Sequence, residues 1–349
     1  MTASSILIIG GYGVVGTQIC QMLSNRHPHV KMVIAGRSVD EARLAASRYP
    51  GAEGRRIDVT EQDPLAGMAH MPDAILLVVN DHRDNVLRSA INRGVAIVDI
   101  ARWSTRVADA ERIAKGMQID APIILASGWM AGAVSAAINA VTPSGHAWQQ
   151  IDIDILFRTS DKAGPDSIEA FLEVHRPFQI WHGGARTTVA SLSDPHPQVF
   201  PSGASANVYR FSTPDQESLV SSEIATGVAV RLGYERAGMT RAFVLMVRSG
   251  LWGRLPAAWR KKLLYNPGDG AEHEIVVNLF DGNGPKRVEI CDAGGQTHMT
   301  AAGAVLQVER VLGIGGRLVP EPGVGYPEEA IDGPADLKSL RELGVTIAP

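Results

Sequence analysis

The chain has 349 residues, 45% of them hydrophobic and 20% charged, with a net charge of −4 at neutral pH. That length exceeds one ordinary domain and suits two, and the composition is that of a globular protein, not a disordered or fibrous one. The charge excludes a nucleic-acid partner of the kind held by a broad basic surface that displaces phosphate counterions. No apolar run of about 18 residues exists to span a bilayer. Met-Thr-Ala-Ser-Ser leads directly into an apolar run without a basic signal-like region, so the expectation is a cytoplasmic protein. Cys20 and Cys291 lie far apart with no C-x-x-C spacing, and read as two buried, reduced thiols.

The first forty residues carry the densest signal. Ser5 to Ile9 reads as a buried strand, followed by Gly10-Gly11-Tyr12-Gly13-Val14-Val15-Gly16, a helix from Val14 to Asn25, and a second strand ending at Gly36. Gly11 permits the tight turn, Gly13 allows backbone to approach a pyrophosphate, and Gly16 lets the helix pack closely on the strand. The helix N-terminus adds free N–H groups and a positive dipole end. The candidate dinucleotide-binding residues are therefore Gly11, Tyr12, Gly13, Val14, Val15 and Gly16. After the second strand stand Arg37 and Ser38, where an NAD site usually places an acid for the ribose 2′-hydroxyl. A guanidinium that forks onto a 2′-phosphate, with a hydroxyl beside it, points to NADP. The plainer alternative is a solvated Arg37 that begins the next helix.

Strand and helix signals continue to alternate. Helices are predicted over 39–48, 84–93 and 105–115, and strands over 54–59, 74–79, 95–100 and 122–126. The near-continuous apolar strands suit a parallel sheet covered on both faces, so the first 145 residues read as a Rossmann-type doubly wound α/β domain of six strands. Beyond them, residues 151–157 alternate as a half-buried strand, 166–173 look helical with Ser167 as a possible cap, and 178–181, 187–192, 208–211 and 275–280 are two-sided. Asp281-Gly282-Asn283-Gly284 before 287–291 is a hairpin turn. Residues 146–312 thus read as a second α+β domain on a mixed or antiparallel sheet, closing with a helix over 300–312. Residues 313–349 read as a Pro/Gly-rich tail that packs back on the first domain, with a last helix near 335–343.

Residues 241–265 carry six basic side chains and no acid, interleaved with Phe243, Leu245, Met246, Leu251, Trp252, Trp259 and Leu263. The pattern is compatible with peripheral contact on an anionic membrane, with a lid, or with an amphipathic helix pair at a dimer or domain interface.

These motifs resemble those of the saccharopine dehydrogenase-like oxidoreductases, the group that includes saccharopine reductase and trans-acting enoyl reductases. The resemblance rests on Ile8-Ile9-Gly10-Gly11-Tyr12-Gly13-Val14-Val15-Gly16, Ala35-Gly36-Arg37-Ser38, Ile57-Asp58-Val59-Thr60, the stretch 90–99 and Gly323-Val324-Gly325-Tyr326-Pro327-Glu328. It implies a Rossmann domain with an inserted substrate-binding and dimerisation domain, hence a homodimer. It also implies that Asp58 and Val59 lie near the adenine, and that Val79, Asn80 and Gly128 lie near the nicotinamide end. One departure is Gly128-Trp129-Met130-Ala131-Gly132, with Ala131 where the family often has proline.

Hydride transfer to a C=N, C=O or polarised C=C bond of a small-molecule substrate needs a proton donor and an orienting group. At the carboxyl ends of the later strands the candidates are His82, Asp99 and Arg102, with Trp129 nearby. His82 is the candidate proton donor, an imidazole being suited to general acid–base work. Asp99 and Arg102 are placed to form an ion pair, or Arg102 to hold a substrate carboxylate. Asp81 or Asp84 is equally suited to capping the next helix. In the second domain His175, Arg176, His182 and Arg186 flank Phe178 and Trp181. No metal site is expected, because the histidines lack ligand spacing. A short-chain dehydrogenase would need Tyr-x-x-x-Lys, and none of the six tyrosines has lysine four residues later. An NADP-binding sensor with a degenerate catalytic site is the alternative of a different class.

Overall fold

The computed structural model describes residues 4–161, 169–264, 268, 270–282, 284–330 and 332–348. The first elements alternate: β1 (Ser5–Ile9), α1 (Val14–Arg26), β2 (Lys31–Gly36), α2 (Val39–Ala46), β3 (Glu53–Arg56), β4 (Ala74–Leu77), α3 (Asn85–Asn92), β5 (Ala96–Asp99), α4 (Ser104–Lys115), β6 (Pro122–Leu125) and α5 (Ala133–Val141). Then come β7 (Gln150–Phe157), α6 (Glu169–Leu172), β8 (Phe178–His182), β9 (Ala185–Val189), β10 (His196–Val199), β11 (Ser205–Arg210), α7 (Asp215–Ser221) and β12 (Val228–Tyr234). Three helices follow, α8 (Ala237–Arg248), α9 (Leu251–Arg254) and α10 (Ala257–Leu264), before β13 (His273–Phe280), β14 (Pro285–Asp292) and α11 (Gly295–Val311). The chain closes with β15 (Gly323–Gly325), α12 (Gly333–Glu342) and β16 (Thr346–Ala348).

Two compact units result, and both are discontinuous. One comprises Met1–Ala133 with Thr300–Glu329, the other Val134–Met299 with Ala330–Pro349. The closing segment is thus shared, β15 going to the first unit and β16 to the second.

In the first unit all strands run parallel in the order β15-β6-β5-β4-β1-β2-β3. The sheet has seven strands, one more than the six legible in the sequence, because β15 joins β6. Alternate side chains (Leu7, Ile9, Ile75, Leu77, Ile97, Ile123 and Leu125) pack with Val86, Leu87 and Ala90 of α3 and Val107 and Ala110 of α4. The residues between them, including Ile6, Ile8, Leu76, Val98 and Ile124, are buried as well. Both faces are covered, which is why these strands read as unbroken apolar runs. The strand order reverses at β1 and β4, and their carboxyl ends form the crevice where doubly wound sheets bind ligands.

The second unit holds a mixed nine-stranded sheet in the order β10-β11-β12-β7-β13-β14-β16, with β8 pairing β12 and β9 pairing β8. Among the described strands of this sheet, only β12 and β7 pair in parallel. The β13–β14 hairpin matches Phe280 with Pro285 across the turn read from the sequence, of which position 283 lies outside the described residues. The helix read over 166–173 is described only as α6, and Ser167 lies outside the described residues. β12, a central strand, carried no strand reading, because Arg231 and Gly233 interrupt its apolar pattern.

Candidate cofactor site

The turn between β1 and α1 is built by steric exclusion. Gly10 takes φ +93° and its N–H donates to the Ala35 carbonyl of β2 at 2.7 Å. A Cβ on Gly16 would lie 2.2 Å from the Gly10 oxygen and 2.6 Å from the Gly11 Cα, so only glycine lets α1 start this close to β1. Gly13 is the extended residue before α1 and supplies no side chain to cap it. The first N–H groups of a helix have no intrahelical partners, and here they open at the carboxyl edge of the sheet. Cys20, one α1 turn deeper, is buried and hydrogen-bonds the Gly11 carbonyl at 3.6 Å. Burial pushes its thiol up to about 12, so it is a packing residue and not a nucleophile.

Tyr12 and the Arg37-Ser38 pair meet at the end of β2. The Tyr12 ring covers Gly36, where an added Cβ would come within 2.5 Å of it, and its hydroxyl accepts from the Ser38 N–H at 3.1 Å. Arg37 is exposed, while the Ser38 hydroxyl caps α2 by accepting from the Glu41 N–H at 3.3 Å. That bond leaves the hydroxyl proton of Ser38 outside the cap. Asp58 stands just past β3, its Oδ1 accepting from the Thr60 hydroxyl and N–H at 2.7 and 3.0 Å. Those bonds, with the charges of Arg56 and Arg37 behind them, lower its pKa below the usual carboxylate range. Val59 follows it, with its carbonyl held by the Asn85 amide at 3.1 Å.

After β4 come Val79 and Asn80, both half-buried, then Asp81 and His82. Asp81 is buried and accepts the Val86 N–H at 2.7 Å, which makes it the cap of α3. Burial raises its pKa above the usual aspartate value. His82 is exposed on the same loop. Asp99 ends β5 and is buried with Arg102: Arg102 Nε donates to Asp99 at 2.6 Å and Nη1 to Asp84 at 2.6 Å. Arg106 reaches the same Asp84 oxygen at 2.5 Å. Burial works against the charge of Arg102, but the two carboxylates outweigh it and raise its pKa. Of the two roles open to Arg102, the ion pair is the one present. With Nε and Nη1 committed and the side chain 2% exposed, it does not offer a fork to a substrate carboxylate. Asp84 and Arg106 complete a cluster that sequence reasoning did not assemble, since Asp84 was legible only as a possible cap.

The loop after β6 is strained. Met130, Ala131 and Gly132 take φ of +58°, +52° and +84° in succession, where a run of non-glycine residues costs about 1–2 kcal/mol each. Proline, locked near −65°, does not fit the positive φ of position 131 in this turn. The turn is held in place: a Cβ on Gly303 of α11 would sit 2.2 Å from the Met130 oxygen, and one on Gly132 would sit 2.6 Å from Pro327. Gly128, buried at its start, accepts the Ala131 N–H at 3.0 Å.

Of the second-unit candidates, the two arginines have structural partners. Arg186 stacks on Trp181 at 4.8 Å and pairs with Glu217 at 2.5 Å; Arg176 pairs with Glu173 at 2.6 Å. His182 is exposed and His175 half-buried beside Gly253. Among the described residues no cluster of three or more His, Cys, Asp or Glu is placed to hold a metal.

Residues 6–121 match the family model of the saccharopine dehydrogenase NADP-binding domain. The chain carries a saccharopine dehydrogenase-type NADP-binding domain. Among solved structures, the apo L-glutamate-forming saccharopine dehydrogenase of Saccharomyces cerevisiae superposes with a TM-score of 0.66 at 14% identity, over 99% of this chain and 100% of that one. A myo-inositol dehydrogenase of Corynebacterium glutamicum reaches a TM-score of 0.45 at 13% identity, over 99% of both chains. No curated protein matches the chain in sequence. The saccharopine dehydrogenase likeness carries the fold of the entire chain, and the domain match carries the cofactor class.

Proposed function

We propose that this saccharopine dehydrogenase-like protein is an NADP(H)-dependent oxidoreductase that moves hydride to or from a C=N, C=O or polarised C=C bond of a small metabolite. The observation that carries this reading is the uncapped N-terminus of α1 behind a turn that excludes any Cβ at Gly16, at the edge where the strand order reverses. Gly11 to Gly16 hold the pyrophosphate on backbone N–H groups. Arg37 and the Ser38 hydroxyl hold the 2′-phosphate, Asp58 and Val59 flank the adenine, and Val79, Asn80 and Gly128 line the nicotinamide end. When bound, the nicotinamide supplies or accepts the hydride. His82 supplies the proton. Asp99 and Arg102 act as positioning residues, tying the end of β5 to Asp84 and so to the loop that carries His82. The proposed assembly is a homodimer, and two free cysteines suit the reducing cytoplasm.

Screening NADPH oxidation against imines, α-keto acid and amine pairs, and α,β-unsaturated carbonyls tests the reading. Turnover is expected with one class and should fall by about a hundredfold or more in His82→Ala. Arg37→Asp should weaken NADPH by ~10- to 100-fold and NADH far less, since it removes charge-assisted bonds to the 2′-phosphate. The commitment of Arg102 to two carboxylates favours one other reading, a cofactor sensor. Tight NADPH binding with no turnover, indifferent to His82→Ala, would establish it instead.

A further inference from the structure

We propose that the helices α8 to α10 seat the second unit on an anionic lipid surface. From Arg236 to Leu264 the chain has seven basic residues and no acid, within a protein of net charge −4. Among the described residues, the same stretch contains five of the nine large exposed apolar side chains: Met239, Leu245, Leu251, Trp259 and Leu263, 43–71% exposed. Cations and apolar groups share helix faces. On α8, Thr240 and Val247 point inward, and Phe243 packs edge-on to the buried Trp252 at 5.3 Å. Arg241, Leu245 and Arg248 occupy the opposite face at helical spacing and are exposed. On α10, Trp259, Lys262 and Leu263 share one exposed face.

α10 has a further peculiarity. It buries none of its eight residues, and it is attached through Arg260, which donates to the Leu172 carbonyl, and half-buried Leu264. Helices this short are marginal in water without an apolar face to pack. An interface that receives Trp259 and Leu263 among the acyl chains, and Lys262 among anionic headgroups, supplies that face. No described helix is long and apolar enough to cross a membrane, so the contact is peripheral. A second copy of this chain is the poorer occupant, because a two-fold contact would set the acid-free basic segment against itself.

Sedimentation of the full-length protein with vesicles tests this. Vesicles of phosphatidylcholine mixed with phosphatidylserine should pellet the protein, phosphatidylcholine alone should not, and added salt should release it. Reversing Arg248 and Lys262 to Glu, both exposed, should weaken binding by about tenfold or more. Replacing Trp259 and Leu263 by Ser should weaken it comparably, with an unchanged thermal midpoint because both are exposed. Lys338→Glu, on α12, should bind as the unaltered protein does. Equal pelleting with neutral lipid, no pelleting with anionic lipid, or indifference to both double variants overturns the proposal. So does preference for soluble polyglutamate without dependence on Trp259 and Leu263, which would mark an acidic-protein site.

Discussion

The two sheets of this molecule bury different chemistry. In the parallel sheet, β1, β4 and β6 carry no charged side chain at all, and β5 has one only at its carboxyl end, Asp99. In the mixed sheet, central strands bury Asp154 on β7, Arg231 on β12 and Glu274 on β13. Arg231 stands in register with Asp154 and pairs with Asp152 at 3.0 Å and Asp194 at 3.2 Å. His196 lies 3.1 Å from Asp154, while Glu274 accepts from Arg158 and from the Ser202 N–H. A sheet covered by helices on both faces excludes charge from its middle and moves function to its strand ends. A mixed sheet tolerates buried charge where its neighbouring strands and loops supply the counter-charge, as Asp152 and His196 do from β7 and β10 and Asp194 does from a loop, at the cost of depending on each partner.

That contrast is open to direct attack. Arg231→Ala should cost about 3–5 kcal/mol by leaving Asp154 and Asp152 without their cation, read as a lowered urea midpoint. Combining Arg231→Met with Asp154→Leu should recover much of the loss, and no recovery would show that the charges do more than answer one another. Gly16→Ala, in the parallel unit, should cost roughly 1–3 kcal/mol as overpacking. Its larger effect should be on NADPH affinity by fluorescence titration; intact affinity would break the claim that function sits at the strand ends.

Glu309 sharpens the comparison, since it is a buried charge of the first unit that lies off the sheet, on α11. It meets Arg26 at 2.6 Å, His27 at 2.8 Å and Arg317 at 3.3 Å. Burial pushes its pKa up, but these partners prevail and hold it below the usual glutamate range. A depressed folded pKa gives stability that is present above the ordinary glutamate pKa and lost as pH falls through the folded value. Glu309→Gln should therefore cost about 1–2 kcal/mol near neutrality and nearly nothing in acid, in urea melts at the two pH values. A pH-independent deficit would mean that shape, not charge, holds α1 to α11.

What could be read from the chain follows how local each feature is. The β1–turn–α1–β2 unit was legible because its apolar run, its glycines and Arg37 lie within forty residues. The β13–β14 hairpin was legible for the same reason. β12 was not, because Arg231 looks like a solvent-facing break until Asp152 and Asp194 are brought beside it. β15 and β16 are three residues each and have no periodicity of their own; they are strands only because β6 and β14 offer free edges. In the candidate site, Asp99 and Arg102 were visible as a spaced pair, but the second carboxylate, Asp84, comes from another loop. At Ala131, local preference pointed the wrong way, since alanine avoids positive φ.

The sequence by itself determined the parallel α/β unit and the glycine turn that opens it, since both rest on short-range sterics and apolar patterning. Only the tertiary structure decided that Arg102 is spent between two carboxylates, that Arg231 is buried, and that the 130–132 turn is left-handed. The physical reason is the same in all three. The cost of burying a charge or straining a backbone is set by partners distant in the chain, and only folding brings those partners within 3 Å or so.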